Sequence, residues 1–175
     1  MASSNEILSY IEMCQREGTS LQRGMNFRLH GGHSIVLMSV RPGAPYDDEV
    51  LEDGAVLIYE GHDHAKFRGI RDPKALDQPE RYASGTLTEN GKFHAAAQRH
   101  KTIGDPPDLV RVYEKIKPGI WSYNGFFHLV DSWTQSDGYR DVFKFRLEAS
   151  EEVNDAKASV DVSFGESKRR RIIPS

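Results

Sequence analysis

The sequence predicts an α+β domain in which a curved sheet or partial β-barrel of short strands is flanked by a few helices. Short apolar segments, each bounded by glycine, proline or acidic residues, recur along the chain and have the length of buried strands. Helical spacing of apolar residues is confined to two segments. With 175 residues, of which 38% are hydrophobic, the chain can form one domain with its own core.

The N-terminal segment is predicted to contain a helix. Ser3 or Ser4 can cap it and Gly18 can end it, and the apolar residues between them recur at helical spacing: Ile7, Leu8, Ile11 and Cys14. The chain from Thr19 to Gly32 has no periodicity. Residues 1–31 are therefore interpreted as an N-terminal helix and a connecting segment.

The central part of the chain is predicted to hold two buried strands and a second helix. The strands are His33–Val40 and Ala55–Glu60, separated by an acidic loop. His62–Gly85 is a long polar segment, and loops of this length in compact domains are commonly functional. A helix is predicted over Thr88–His100, with Phe93, Ala96 and Ala97 facing inward.

Three further strands are predicted before the composition changes at Ser150. They are Leu109–Ile116, Phe126–Trp133 and Tyr139–Glu148, with Ile120–Gly125 as a short strand or turn because Asn-Gly favours turns. Residues 32–149 are thus interpreted as the folded domain. Residues 150–175, which are polar and include the basic run 168–171, are interpreted as a flexible linker.

Charge and composition limit the classes of partner. The formal net charge of −3 argues against strong non-specific binding to nucleic acid, although a local basic face remains compatible with it. No apolar run has the roughly 20 residues that span a bilayer, so we expect no membrane partner. The single cysteine, Cys14, cannot form an internal disulfide, which favours a reducing, cytoplasmic location.

An acidic loop between aromatic residues is the first candidate site. Tyr46 precedes the acids Asp47, Asp48 and Glu49, and the second strand ends in Tyr59, Glu60 and Gly61. Aromatic rings can stack on an unpaired base, and a carboxylate can accept a hydrogen bond from the N4 amino group of cytosine. The alternative interpretation is a solvated acidic turn beside one core tyrosine.

Histidines form the second candidate site. His62 and His64 lie two residues apart, and with His33 they could bind a metal. This leaves open a metal-dependent small-molecule enzyme on a small β-barrel. Phosphate-binding loops, nucleophile elbows and zinc-spaced cysteine pairs are missing from the sequence, so no catalytic residue is predicted.

Basic side chains in and after the long polar segment form the third candidate site. On one face of the domain they could contact phosphates or the groove of a duplex. The residues predicted to do so are Lys66, Arg68, Arg71, Lys74, Arg81 and Lys92.

Ordered sequence matches resemble the SRA (SET- and RING-associated, or YDG) domain family. The core of the match is SIVLMSV, APYDDEVLEDG and VLIYEG, followed by GTLTENGKFHAAA and LVRVYEKI. Tyr123-Asn124-Gly125 stands where the family has Tyr-Asp-Gly. The resemblance covers roughly Gly32 to Glu148 and implies an SRA/PUA-like fold.

The resemblance implies binding of duplex DNA in which 5-methylcytosine or 5-hydroxymethylcytosine is flipped into an aromatic pocket. Tyr46 and Tyr59 match the stacking aromatics, and Asp48 or Glu49 matches the acid that contacts the cytosine edge. Glu60, beside Gly61, falls where the family often has threonine, which leaves the choice between methyl and hydroxymethyl open.

The bacterial branch that the chain most resembles joins an SRA-like domain to an HNH nuclease in modification-dependent restriction endonucleases. The C-terminal sequence KRRRIIPS resembles the start of a connection to such a nuclease. The resemblance implies no cofactor for this domain, a divalent metal in an attached nuclease, and a possible homodimer. Binding of RNA or single strands on a related barrel remains an alternative.

Overall fold

The computed structural model describes residues 6–29, 32–66 and 72–151. The predicted DNA contacts Arg68 and Arg71, and the predicted linker from residue 152 onward, lie outside the described residues. The helices are α1 (Tyr10–Glu17) and α2 (Glu89–Ile103), and neither is long and apolar enough to cross a membrane. The strands are β1 (Glu6–Ser9), β2 (Met25–Asn26), β3 (Ser34–Met38), β4 (Glu49–Leu51), β5 (Val56–Glu60), β6 (Leu109–Lys117), β7 (Ile120–Ser136) and β8 (Asp141–Ala149).

The strands form one open, mixed sheet in the order β2-β3-β6-β7-β8-β5-β4, and β1 pairs with the start of β7. The β3–β6 pair is parallel, and the other pairs are antiparallel. Because β2 and β4 lie at opposite ends of this order, the sheet does not close into a barrel. The predicted α+β class with flanking helices is confirmed.

The N-terminal helix begins later than predicted. Residues 6–9 are a strand paired with residues 120–123, so Ile7 and Leu8 are not helical. The helix instead begins after Ser9, which forms a capping box with Glu12. It ends at Gly18, as predicted, where φ is +68°. The spacing of apolar residues could not distinguish a strand from a helix at residues 6–9, because this strand depends on a partner more than 100 residues away.

The predicted central and C-terminal elements are present with shifted ends. The segment Ile120–Gly125, predicted as a short strand or turn, is the first part of the long strand β7. Gly125 has φ of +91°, and the β6–β7 register shifts beside it, so the Asn-Gly pair marks a bulge. The region predicted to be irregular contributes β2, and the acidic loop contributes β4.

Each face of the sheet is covered by one helix. Neighbouring residues Ile35 and Val36 belong to different clusters, because side chains alternate along a strand. Val36 packs in the larger cluster with Phe93, Ala96 and Ala97 of α2. Ile35 packs in the smaller cluster with Met13 of α1. The inward face predicted for α2 is therefore observed.

A buried carboxylate attaches α1 to the sheet. Glu17 accepts hydrogen bonds from Arg111 Nη1 at 2.6 Å and the Tyr113 hydroxyl at 2.6 Å, and it lies 3.1 Å from His33 Nε2. Burial opposes ionisation, but the hydrogen bonds outweigh it and lower the pKa of Glu17 to about 2. Glu17 is therefore ionised at neutral pH.

We expect Glu17→Gln to lower the free energy of unfolding by about 3 kcal/mol at pH 7, because Arg111 would be left without its charged partner. The folded pKa lies below the ordinary value of 4.5, so this stabilisation is present above pH 4.5 and is lost between about 4.5 and 2. Urea unfolding at pH 7 and pH 3 measures both effects. Glu80→Gln, at an exposed position, is the control, and an equal loss in both variants would contradict the prediction.

Candidate functional site

An open cavity of about 470 Å³ lies at one end of the sheet. It is bounded by the loop after β3, the end of β5 and the turn between β7 and β8. Two of its lining residues are aromatic, and several more are charged: Tyr46, Tyr139, Asp47, Asp48, Glu60, Lys74 and Arg140. The structure thus brings together four predicted site residues, namely Tyr46, Asp48, Glu60 and Lys74.

The half-buried ring of Tyr46 is covered on both faces. The His62 imidazole stacks on it with a centroid separation of 4.4 Å and an interplanar angle of 9°. Lys74 Nζ lies over the ring at 4.2 Å from the centroid. Because His62 fills one face, and Lys74 but not His62 lines the 470 Å³ cavity, we infer that the ammonium covers the other face. The Tyr46 hydroxyl accepts a hydrogen bond from Asp63 N at 3.2 Å. The Tyr46 ring is therefore held in one orientation beside the cavity.

Asp48 connects the ends of two strands. Its carboxylate accepts hydrogen bonds from Glu60 N at 2.9 Å and Ser39 N at 3.1 Å. Burial is the main cause that raises the pKa of Asp48, to about 6; the two N–H donors oppose the rise and the Glu60 carboxylate adds to it. Each carboxylate oxygen keeps a second lone pair for another donor.

Glu60 places a second carboxylate at the cavity. Only 7% of Glu60 is exposed, and its Oε1 lies 3.4 Å from Nζ of the buried Lys144, its cross-strand neighbour on β8. Its Oε2 accepts a hydrogen bond from Asp47 N at 3.3 Å. Lys144 also donates to the Asp47 carbonyl at 2.9 Å, so the acidic cavity has a buried positive charge behind it.

Gly61 is a close-packing position. A Cβ atom on Gly61 would lie 2.7 Å from Asn90 Oδ1 and 2.8 Å from Gln78 Oε1. Gln78 donates to the Gly61 carbonyl at 2.7 Å and accepts from Phe143 N at 2.8 Å. Gly61 thus lets the chain after β5 approach these two amides. Gln78 and Asn90 are not predictable from the sequence, because single polar residues in a loop and a helix give no spacing signal.

Tyr59 and Glu49, like Gly61, are outside the lining of the cavity. Tyr59 is 2% exposed and packs in the α2-side core, where its hydroxyl lies 3.3 Å from the Leu37 carbonyl oxygen and 2.8 Å from His62 Nε2. Glu49 is exposed on β4. Neither residue lines the 470 Å³ cavity. A stacking role for Tyr59 stays a prediction.

The described members of the predicted basic set have different surroundings. Lys66 is exposed, whereas Lys74 pairs with Asp63 at 2.8 Å and also donates to the Pro45 carbonyl. Arg81 donates to the Gly85 carbonyl at 2.7 Å, and Lys92 lies 3.3 Å from Glu89. The Lys92–Glu89 pair is at a partly exposed position, where such pairs contribute little stability, whereas Lys74 pairs with the buried carboxylate of Asp63.

A second cavity, of about 320 Å³, includes His62 and His64 in its lining. Burial lowers the pKa of His62 to about 4, so its ring is neutral at pH 7. His33 lies in the Glu17 network on the α1 side. Among the described residues, no three histidine, cysteine or acidic side chains are grouped to hold a metal. The geometry therefore gives no support to a metal site at these histidines.

A buried ion pair that the sequence analysis missed connects the segments around the cavity. Arg140 Nη1 lies 2.7 Å from Asp63 Oδ1, and both side chains are less than 10% exposed. Arg140 also donates to the carbonyls of Pro73 at 3.2 Å and Leu76 at 3.0 Å. Burial raises the pKa of Asp63, but Lys74 and Arg140 outweigh this effect and lower it overall.

We expect Asp48→Asn to lower stability less at pH 7 than at pH 4. The folded pKa of about 6 exceeds the ordinary value of 3.8, so ionisation of Asp48 makes the wild-type fold less stable as pH rises from about 4 to 6. The asparagine variant lacks this loss, so its deficit should shrink by roughly 2 kcal/mol across that range. Urea unfolding at several pH values measures it. Asp47→Asn, whose side chain is 80% exposed, is the matched control, and a pH-independent deficit for Asp48→Asn would contradict the assignment.

No protein-family model and no curated protein sequence matches the chain. Solved structures do share its fold. The SUVH5 SRA domain in complex with hemimethylated CG DNA is 22% identical, with a TM-score of 0.56, over 86% of this chain and 90% of that one. The same domain bound to fully hydroxymethylated CG DNA is also 22% identical, with a TM-score of 0.56, over 85% and 89%. KRYPTONITE in complex with mCHG DNA and SAH is 18% identical, with a TM-score of 0.55, over 85% of this chain and 32% of that one. The chain therefore has the α+β fold of SRA domains.

Proposed function

We propose that this chain binds duplex DNA containing modified cytosine and holds the flipped base in the cavity beside Tyr46. The observation that carries the proposal is the grouping of Tyr46, Asp48 and Glu60 around one open cavity of about 470 Å³, within the usual range for ligand pockets. The fold adds support, because the SUVH5 SRA structures that share it contain methylated or hydroxymethylated DNA.

The cavity chemistry suits a cytosine edge better than an anionic ligand. Asp48 and Glu60 both line it, and Asp48 is mainly ionised above pH 6. A carboxylate accepts from the N4 amino group of cytosine but repels a phosphate. Asp48 is favoured over Glu49 as the base-contacting acid, because Glu49 does not line the cavity.

Stacking and edge contacts together must offset the cost of flipping. Removing a base from the duplex costs a few kcal/mol, and each stacked aromatic contact contributes about 1–3 kcal/mol. Discrimination of one methyl group in an apolar site is on the order of 1–3 kcal/mol. We therefore expect a preference for modified DNA over plain cytosine that is partial rather than absolute.

Phosphate contacts would position the duplex over the cavity. Lys66 and Lys74 belong to the loop that follows β5, and Arg81 lies farther along the same segment. Basic side chains of this kind contribute affinity that is independent of sequence and falls as salt rises. Lys92 on α2 is a further candidate. The net charge of −3 keeps this non-specific contribution moderate.

We expect Tyr46→Ala to lose most of the preference for modified DNA. Fluorescence anisotropy with matched duplexes containing one cytosine, 5-methylcytosine or 5-hydroxymethylcytosine, at fixed salt, measures it. Loss of one stacking surface should weaken binding to the modified duplex roughly 5- to 100-fold. Tyr82→Ala, at an exposed tyrosine lining the second cavity, is the matched control.

Two results would contradict the proposal. Equal affinity of the wild type for all three duplexes would exclude recognition of the modification. Equal competition by single-stranded DNA or RNA would favour the single-strand alternative. Thermal melting of each variant separates loss of binding from loss of folding.

We further propose that the chain is the recognition part of a bacterial modification-dependent restriction endonuclease whose nuclease activity comes from an HNH domain. The support is the resemblance of the C-terminal sequence and the absence of catalytic motifs in this sequence. We expect this chain with Mg²⁺ to bind a modified plasmid without cutting it. Specific cleavage by this chain alone, after removal of contaminating nucleases, would contradict the proposal that a separate HNH domain supplies the nuclease activity.

A further inference from the structure

We propose that Tyr139 supplies the second aromatic surface for the flipped base, which then lies against the Lys74-covered face of Tyr46. This inference rests on the proposed function and names a recognition residue that the sequence matches do not include. Tyr139 and Tyr46 line the same cavity as the carboxylates Asp48 and Glu60.

The two faces of Tyr46 differ in how easily they can be freed. His62 is held by its backbone N–H bond to Asn90 Oδ1 at 2.8 Å, and its carbonyl accepts from Asn90 Nδ2 at 2.8 Å. Its ring Nε2 lies 2.8 Å from the Tyr59 hydroxyl. Lys74, by contrast, has a side chain that is 46% exposed. A base can therefore replace the Lys74 ammonium at lower cost than the His62 ring.

Tyr59 is poorly placed to take the other side of such a base. Tyr59 and Glu60 are neighbours on β5, so their side chains point to opposite faces of the sheet. Tyr59 packs in the core on the α2 side, whereas Glu60 lines the cavity. In this arrangement Tyr59 fixes His62 and does not contact the base.

Tyr139 has the exposure and the fixed backbone that a stacking residue needs. It is 94% exposed, in the turn between β7 and β8. Asp137 Oδ1 accepts from Tyr139 N at 2.9 Å and from Arg140 N at 3.0 Å. The buried Arg140–Asp63 pair ties this turn to the loop that carries Tyr46's partner His62. Ordering one tyrosine side chain on a fixed backbone costs little entropy.

When the base enters, the displaced Lys74 would become available to contact a phosphate of the DNA backbone. Lys74 now neutralises Asp63, but Asp63 keeps Arg140 as a second cationic partner when Lys74 leaves. The freed ammonium is then available for a phosphate beside the flipped nucleotide. The exchange leaves no buried charge unpaired.

The test compares Tyr139→Ala with wild type in the three-duplex anisotropy assay. We expect binding to the preferred modified duplex to weaken roughly 5- to 100-fold, with a smaller effect on the plain duplex. Tyr139→Phe should retain the preference because it keeps the ring, and Tyr82→Ala should match wild type. Since Tyr139 is almost wholly exposed, its variants should melt like wild type.

Three outcomes would overturn the inference while leaving the proposed function intact. Tyr139→Ala could keep the wild-type preference, or it could weaken binding to all duplexes equally, as a general surface contact would. An increase in modified-duplex affinity for His62→Ala would place the base on the His62 side of Tyr46 instead. Equal binding of all three duplexes by the wild-type protein would contradict the proposed function itself, and therefore also the role of Tyr139.

Discussion

The buried ion pair between Asp63 and Arg140 is the interaction on which the geometry of the cavity depends. Asp63 belongs to the chain after β5, and Arg140 belongs to the turn before β8. Arg140 also donates to the carbonyls of Pro73 and Leu76, so a single guanidinium connects the chain after β5 to a turn more than 60 residues farther along. Removal of one partner from a buried pair costs about 3–5 kcal/mol, which makes these positions intolerant of change.

Because side chains alternate along β5, its two faces have different surroundings. Residues of β5 that face α2 form core, whereas Glu60 on the other face meets Lys144 and the cavity. Carboxylates are costly to bury, and here Asp48 is stabilised by two backbone donors and Glu60 by one ammonium. The two carboxylates can therefore line the cavity while the loop that carries them stays folded.

The balance of charge is compatible with the selective DNA binding that we propose for this acidic protein. Acceptors line the cavity, and basic residues lie in the long segment that follows β5. Phosphate contacts add affinity for any duplex, whereas a flipped base gains only when its edge and faces fit. A modest phosphate contribution leaves a larger share of the binding energy to the cavity.

The sequence alone determined the α+β class, most strand positions, the second helix and the acidic loop at Tyr46 and Asp48. These features depend on local periodicity and on residues within a few positions of each other. The strand β1, the burial of Tyr59 and the partners Gln78, Asn90 and Arg140 were decided by the tertiary structure. Each depends on contacts between segments far apart in the chain, and no local pattern encodes such contacts. For the same reason, the exposed Tyr139 became a candidate for base contact only when the fold placed it on the cavity that Tyr46 lines.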